Sequence, residues 1–109
     1  MKRSRNRFGP INGRRPQAIR LQFAHPIAAV VRVAGTFNNW RPGATPMVPM
    51  GGGRWLKELV LAPGVYEYRF VVDGEWMPDP QAGDTVADPA GEMNSVLIVD
   101  GRKGCHRGR

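Results

Sequence analysis

The sequence predicts an all-β fold, a sandwich of two packed sheets, and three observations carry that prediction. Apolar residues recur with period two in several short stretches, most clearly from Gly64 to Val72, where Tyr66, Tyr68, Phe70 and Val72 alternate with Glu67 and Arg69. Those stretches are separated by turn chemistry, with 14 glycines and 10 prolines in 109 residues. Such a content favours reversals over long helices. The best helix-forming run, Arg54 to Leu61, has high propensity but is short and closed off by Gly51-Gly52-Gly53 and Pro63-Gly64, so it reads as a strand.

Taken in order, residues 1–16 are basic, contain Gly, Pro and Asn, and lack apolar periodicity, which predicts a flexible, disordered tail. Order is expected from Gln17, where Ile19, Leu21 and Phe23 alternate with Arg20 and Gln22 until Pro26 ends a first strand. Ala28 to Ala34, with three valines, predicts a second, and Thr36 to Trp40 a short loop in which Asn38 and Asn39 fix the backbone. Residues 41–53 predict an irregular connection that holds Met47 or Met50 against the core. In the strand from Arg54, Trp55, Leu59 and Leu61 share a core-facing side. Pro63-Gly64 turns the chain into the strand from Gly64, and Asp73-Gly74, suited to φ > 0, reverses it and delivers Trp76. Residues 78–92 predict a loop and Ser95 to Val99 a final strand, six in all with the arm that the Asp73-Gly74 reversal returns at Trp76. The folded domain is expected to span residues 17–100, with a second basic tail over 101–109.

The net charge of +7 belongs to the ends of the chain. Residues 1–20 and 101–109 hold eleven cations and no acid, whereas residues 21–100 hold five cations against nine acids, a net of −4. The termini therefore suit weak, salt-sensitive contact with polyanions, and the folded body does not. The basic N-terminus has no apolar segment behind it, and no window approaches the roughly 20 apolar residues of a membrane span. With the single Cys105 excluding an intrachain disulfide, the expectation is a soluble, cytoplasmic protein. Cys105-His106 is too small a set for structural zinc, which wants four ligands, and no metal or cofactor is expected. Asp79, Asp84 and Asp88 are the acids from which a catalytic pair would be drawn, but each stands beside Pro or Gly in turn context, and the expectation is no enzyme.

Beyond the elements, V-R-V-A-G-T-F-N-N-W, G-R-W-L-K-E-L-V-L-A-P-G-V-Y-E-Y-R-F-V-V-D-G-E-W-M-P-D-P and M-N-S-V-L-I-V occur in an order and spacing that resembles carbohydrate-binding module family 48. That family includes the glycogen-binding domain of the AMP-activated protein kinase β subunit and the early-set N-terminal domains of isoamylases and branching enzymes. The resemblance covers residues 19–99 and implies an immunoglobulin-like, early-set β-sandwich that binds α-1,4-glucans such as glycogen, starch or maltooligosaccharide. It implies that Trp40 and Trp76 stack on sugar rings, and that Arg69 and Asn94 hydrogen-bond their hydroxyls. It also implies a departure, because Ala90 and Glu92 stand where the kinase subunit has a leucine and a threonine that approach the sugar, which bears on affinity.

The chemistry fits those residue types. Indoles cover the C–H face of a glucose ring at low entropic cost, while guanidinium and amide groups meet its hydroxyl edge. Trp40, following Phe37, suits either a sugar platform or a plug for one end of the sandwich. The leading expectation is a non-catalytic glucan-binding module, working with an enzyme of glycogen metabolism. The alternatives are a protein-interaction domain of early-set type that has lost sugar binding, or polyanion binding through the tails.

Overall fold

The computed structural model describes residues 15–100 and the backbone of residues 105 and 106. Two antiparallel sheets pack face to face. One has the order β1-β4-β3, from β1 (Gln17–Ala24), β4 (Arg54–Leu61) and β3 (Val48–Gly51). The other has the order β2-β5-β8-β7, from β2 (Val31–Gly35), β5 (Gly64–Val72), β8 (Met93–Val99) and β7 (Thr85–Ala87). β6 (Glu75–Met77) pairs with the second half of β5, and β9 (Cys105–His106) pairs with the end of β8.

The alternation in β5 does what the period-two pattern requires. Tyr68, Phe70 and Val72 are buried on the inner face, with Tyr66 partly buried beside them. They meet Ile19, Leu21 and Phe23 of β1 and Trp55 of β4 across the sandwich, and the rings of Phe23 and Phe70 lie 4.8 Å apart in a tilted pair. Glu67, Arg69 and Val71 consequently point to the other face of the larger sheet.

Three expectations about the elements need correction. The second strand begins at Val31, not Ala28, because the N–H groups of Ala29 and Val30 donate to the Asp73 carboxylate instead of a strand ladder. The connection over residues 41–53 contains β3, a short edge strand that tolerates Pro49 beside a register shift. It buries Met47 and leaves Met50 exposed. The expected loop over residues 78–92 contains β7, so it folds back as a hairpin on β8. The expected tails lie outside the described residues, apart from Arg15, Pro16 and the two residues of β9, which pair with Ile98 and Val99. No described helix is long and apolar enough to cross a membrane.

Candidate functional site

The outer face of the larger sheet carries an open groove of about 580 Å³. Trp40, Arg69, Trp76 and Asn94, the four residues singled out from the sequence, all line it. Glu67 and Thr36 extend the floor and one edge, and Ala87, Asp88 and Pro89 form the opposite rim.

Trp76 is placed by the hairpin between β5 and β6. Asp73 (φ 48°) and Gly74 (φ 88°) are both left-handed, as a two-residue turn matched to strand twist demands. The Asp73 carboxylate anchors that turn by accepting from Ala29 N–H at 3.0 Å and Val30 N–H at 2.8 Å. Trp76 then stands opposite Val71, on the face of β5 that Arg69 shares two residues away, and remains 43% exposed.

Trp40 is placed by a loop that Asn38 holds from inside. The Asn38 side-chain oxygen accepts from Gly35 N–H at 3.0 Å and Arg41 N–H at 3.2 Å. Its Nδ2 donates to Val33 O at 3.0 Å and Thr45 Oγ1 at 2.9 Å, so the amide spans the loop in four directions. Gly35 is obligatory there, since a Cβ would lie 2.6 Å from Glu67 O and 2.8 Å from Tyr68 Cβ. Trp40 has φ 58° and donates its N–H to Gly35 O at 2.9 Å. A left-handed tryptophan stores strain of about 1–3 kcal/mol, the kind that concentrates at functional positions.

Between the two indoles runs a hydrogen-bonded chain. Arg69 Nε donates to Asn94 Oδ1 at 2.6 Å, and Arg69 Nη2 donates to Asp88 Oδ2 at 2.6 Å. Asn94 Nδ2 donates to Glu67 Oε1 at 3.0 Å. The guanidinium lies 6.0 Å from the centre of the Trp76 ring, at the outer range of a cation–π contact. Two of the five guanidinium N–H groups are thereby committed and three remain for a ligand. Asn94 is only 3% exposed and lies in the floor with both ends of its amide already engaged.

Asp88 also organises the rim. Its Oδ1 accepts from Glu92 N–H at 2.8 Å and Ala90 N–H at 2.9 Å. The Glu92 N–H, with that of Ala90 and the Arg69 guanidinium, holds its carboxyl below the ordinary value against an opposing desolvation. Ala90 and Glu92 themselves are exposed and contribute backbone to this turn, while their side chains are not part of the groove lining. The other acids of the catalytic shortlist stand apart. Asp79 is buried, accepts from the Tyr68 hydroxyl at 2.6 Å and from Gln81 N–H, and its own N–H donates to Ser95 Oγ. Asp84 caps the start of β7 through Thr85 N–H.

Glu67, Asp88 and Thr36 were missed as site residues from the sequence alone. For Glu67 the signal was present, because it shares the parity of Arg69 on β5 and must share its face. For Asp88 and Thr36 the contact depends on elements far apart in the chain.

A family model described as the glycogen recognition site of AMP-activated protein kinase matches residues 18–104. Among similar proteins, an amyloplastic phosphoglucan phosphatase of Castanea sativa is 27% identical over 82% of this chain and 24% of its own length. The SNF1-related protein kinase regulatory subunit beta-2 of Arabidopsis thaliana is 34% identical over 62% of this chain and 22% of its own. The 5'-AMP-activated protein kinase subunit beta-1 of Sus scrofa is 32% identical over 63% of this chain and 53% of its own. The chain therefore spans between about a quarter and a half of these relatives.

Proposed function

The chain belongs to the family of the glycogen recognition site of AMP-activated protein kinase, a non-catalytic carbohydrate-binding domain, and from that premise we propose that its outer-face groove holds an α-1,4-glucan. Trp40 and Trp76 stack on the apolar faces of glucose units. Arg69 donates to hydroxyls through its three uncommitted N–H groups, and Asn94 forms the polar floor and holds the guanidinium in place. The observation that supports this reading best is convergence. A loop before β3 and the short strand β6, three strands later in the chain, present the indoles at the same groove that Arg69 and Asn94 line. The volume, about 580 Å³, lies within the range of roughly 300–1,000 Å³ usual for small-molecule sites. Each neutral hydrogen bond exchanges with water and nets only about 0.5–1.5 kcal/mol, so affinity grows with oligomer length until both indoles are covered.

Binding without turnover is part of the proposal. Hydrolysis of a glycosidic bond needs a carboxylic acid with a raised pKa beside a second carboxylate. Asp88 is shifted the opposite way and tied to Arg69 and two backbone amides. A glycogen-metabolising enzyme as working partner, and polyanion contact through the basic termini, extend the same proposal.

The test is electrophoresis in native gels containing glycogen, with albumin as the sieving control. Wild-type protein is retarded, and Trp40→Ala/Trp76→Ala migrates as in glycogen-free gels. Equal migration of wild type with and without glycogen removes the reading.

A further inference from the structure

We propose that Glu67 is a direct sugar ligand, the acceptor for glucan hydroxyl protons, and that its charge makes the groove select neutral over phosphate-bearing glucans. This rests on the glucan reading of the same groove. Every glucose hydroxyl carries a proton to donate as well as lone pairs to offer, so a polar site needs acceptors. The other acceptors in the lining are already engaged by the protein, the Thr36 hydroxyl among them, which accepts from Glu67 N–H at 3.2 Å. Arg69 has no acceptor and each indole offers only an N–H. The acceptor oxygen of Asn94 already receives Arg69 Nε at 2.6 Å, and the residue is buried. Asp88 is occupied on both oxygens, by Ala90 N–H and Glu92 N–H on one and Arg69 on the other.

Glu67 differs. Its Oε1 accepts from Asn94 Nδ2 at 3.0 Å, which orients the carboxylate along the floor. No donor among the described residues reaches its Oε2, and no described cation forms a salt bridge with it. The result is a pre-oriented carboxylate in the groove lining with one oxygen that no described donor engages.

The same carboxylate sets the charge of the lining. Arg69 and Asp88 neutralise each other in an ion pair of 2.6 Å, which leaves Glu67 as the uncompensated charge. A phosphomonoester carries about −1.5 to −2 charges at neutral pH. Placed in this groove it lies well within the screening length of about 8 Å at physiological salt, so repulsion persists there. A neutral glucan suffers no such penalty and gains a charge-assisted hydrogen bond.

The experiment is calorimetric titration of the full chain at pH 7 in physiological salt. The ligands are maltoheptaose and maltoheptaose bearing a glucosyl phosphomonoester; the proteins are wild type and Glu67→Gln, which keeps an acceptor for Asn94 Nδ2. The preference of wild type for the neutral over the phosphorylated oligosaccharide is expected to exceed that of Glu67→Gln by at least about fivefold. Glu67→Gln is expected to bind maltoheptaose a few-fold more weakly than wild type, yet the phosphorylated ligand more tightly. Changes of opposite sign separate a charge in the site from damage to the fold, and the basic termini, common to both proteins, cancel in the comparison. The same preference in wild type and Glu67→Gln, or a parallel change for both ligands in Glu67→Gln, overturns the role of Glu67 while leaving the glucan reading standing. Failure of wild type to bind maltoheptaose removes both.

Discussion

At the scale of single residues, the polar groups of the groove are bonded to one another, a pre-organisation that suits the proposed glucan site. Arg69 is held by Asn94 and Asp88, and Asn94 by Glu67, so binding needs little reorganisation of side chains. Asp88 gives the arrangement a pH dependence whose sign follows from its lowered carboxyl pKa, caused first by the Glu92 N–H. A depressed folded value means that the stabilisation is complete above the ordinary carboxyl value of 3.8 and is lost as pH falls through the lowered one. Glycogen retardation should therefore be flat from neutrality to about pH 5 and fall only in stronger acid, near and below the ordinary carboxyl range. Asp88→Asn should weaken binding at neutral pH, because Arg69 loses its charged partner, and should remove the acid limb assigned to this group. A binding profile measured for both proteins checks it. In the sequence, Arg69 and Asn94 were identified only through the family pattern. Asp88 was visible as an acid in a turn, with nothing to show that the turn folds back onto Arg69.

At the scale of elements, two short devices decide where the indoles stand. Asn38 braces the loop that carries Trp40, and replacing it with Ala removes four hydrogen bonds while leaving part-buried backbone groups unpaired. The expected cost is about 1–3 kcal/mol in a denaturant titration, with loss of glycogen retardation exceeding what stability alone explains. Gly35→Ala drives a Cβ into Glu67 O and Tyr68 Cβ and should cost a similar amount, about 1–3 kcal/mol by the same titration. Both devices are legible locally, since the F-N-N-W and D-G motifs state their own turn chemistry. β3 and β7 were not legible. Each is three or four exposed residues without alternation, and its strand character comes from pairing with β4 or β8.

At the scale of the whole molecule, the sandwich separates the core from the site by the two faces of β5. Phe70, buried against Phe23, should cost about 3–5 kcal/mol when cut to Ala. Trp76→Ala, at a half-exposed position on the other face, should change stability by less than about 0.5 kcal/mol while weakening glycogen binding. Chemical denaturation beside native-gel retardation reads the two effects independently. What the sequence by itself determined was the fold class, the central strand, the faces of β1, β4 and β5, and the two turns, because alternation and turn preference are local properties of adjacent residues. Only the tertiary structure decided that Asp88 grips Arg69, that Asn94 lies in the floor bridging Arg69 and Glu67, and that both indoles share one groove. Those pairings join residues 19, 25 or 27 positions apart, and nothing in the local chain specifies them until the sheet has closed.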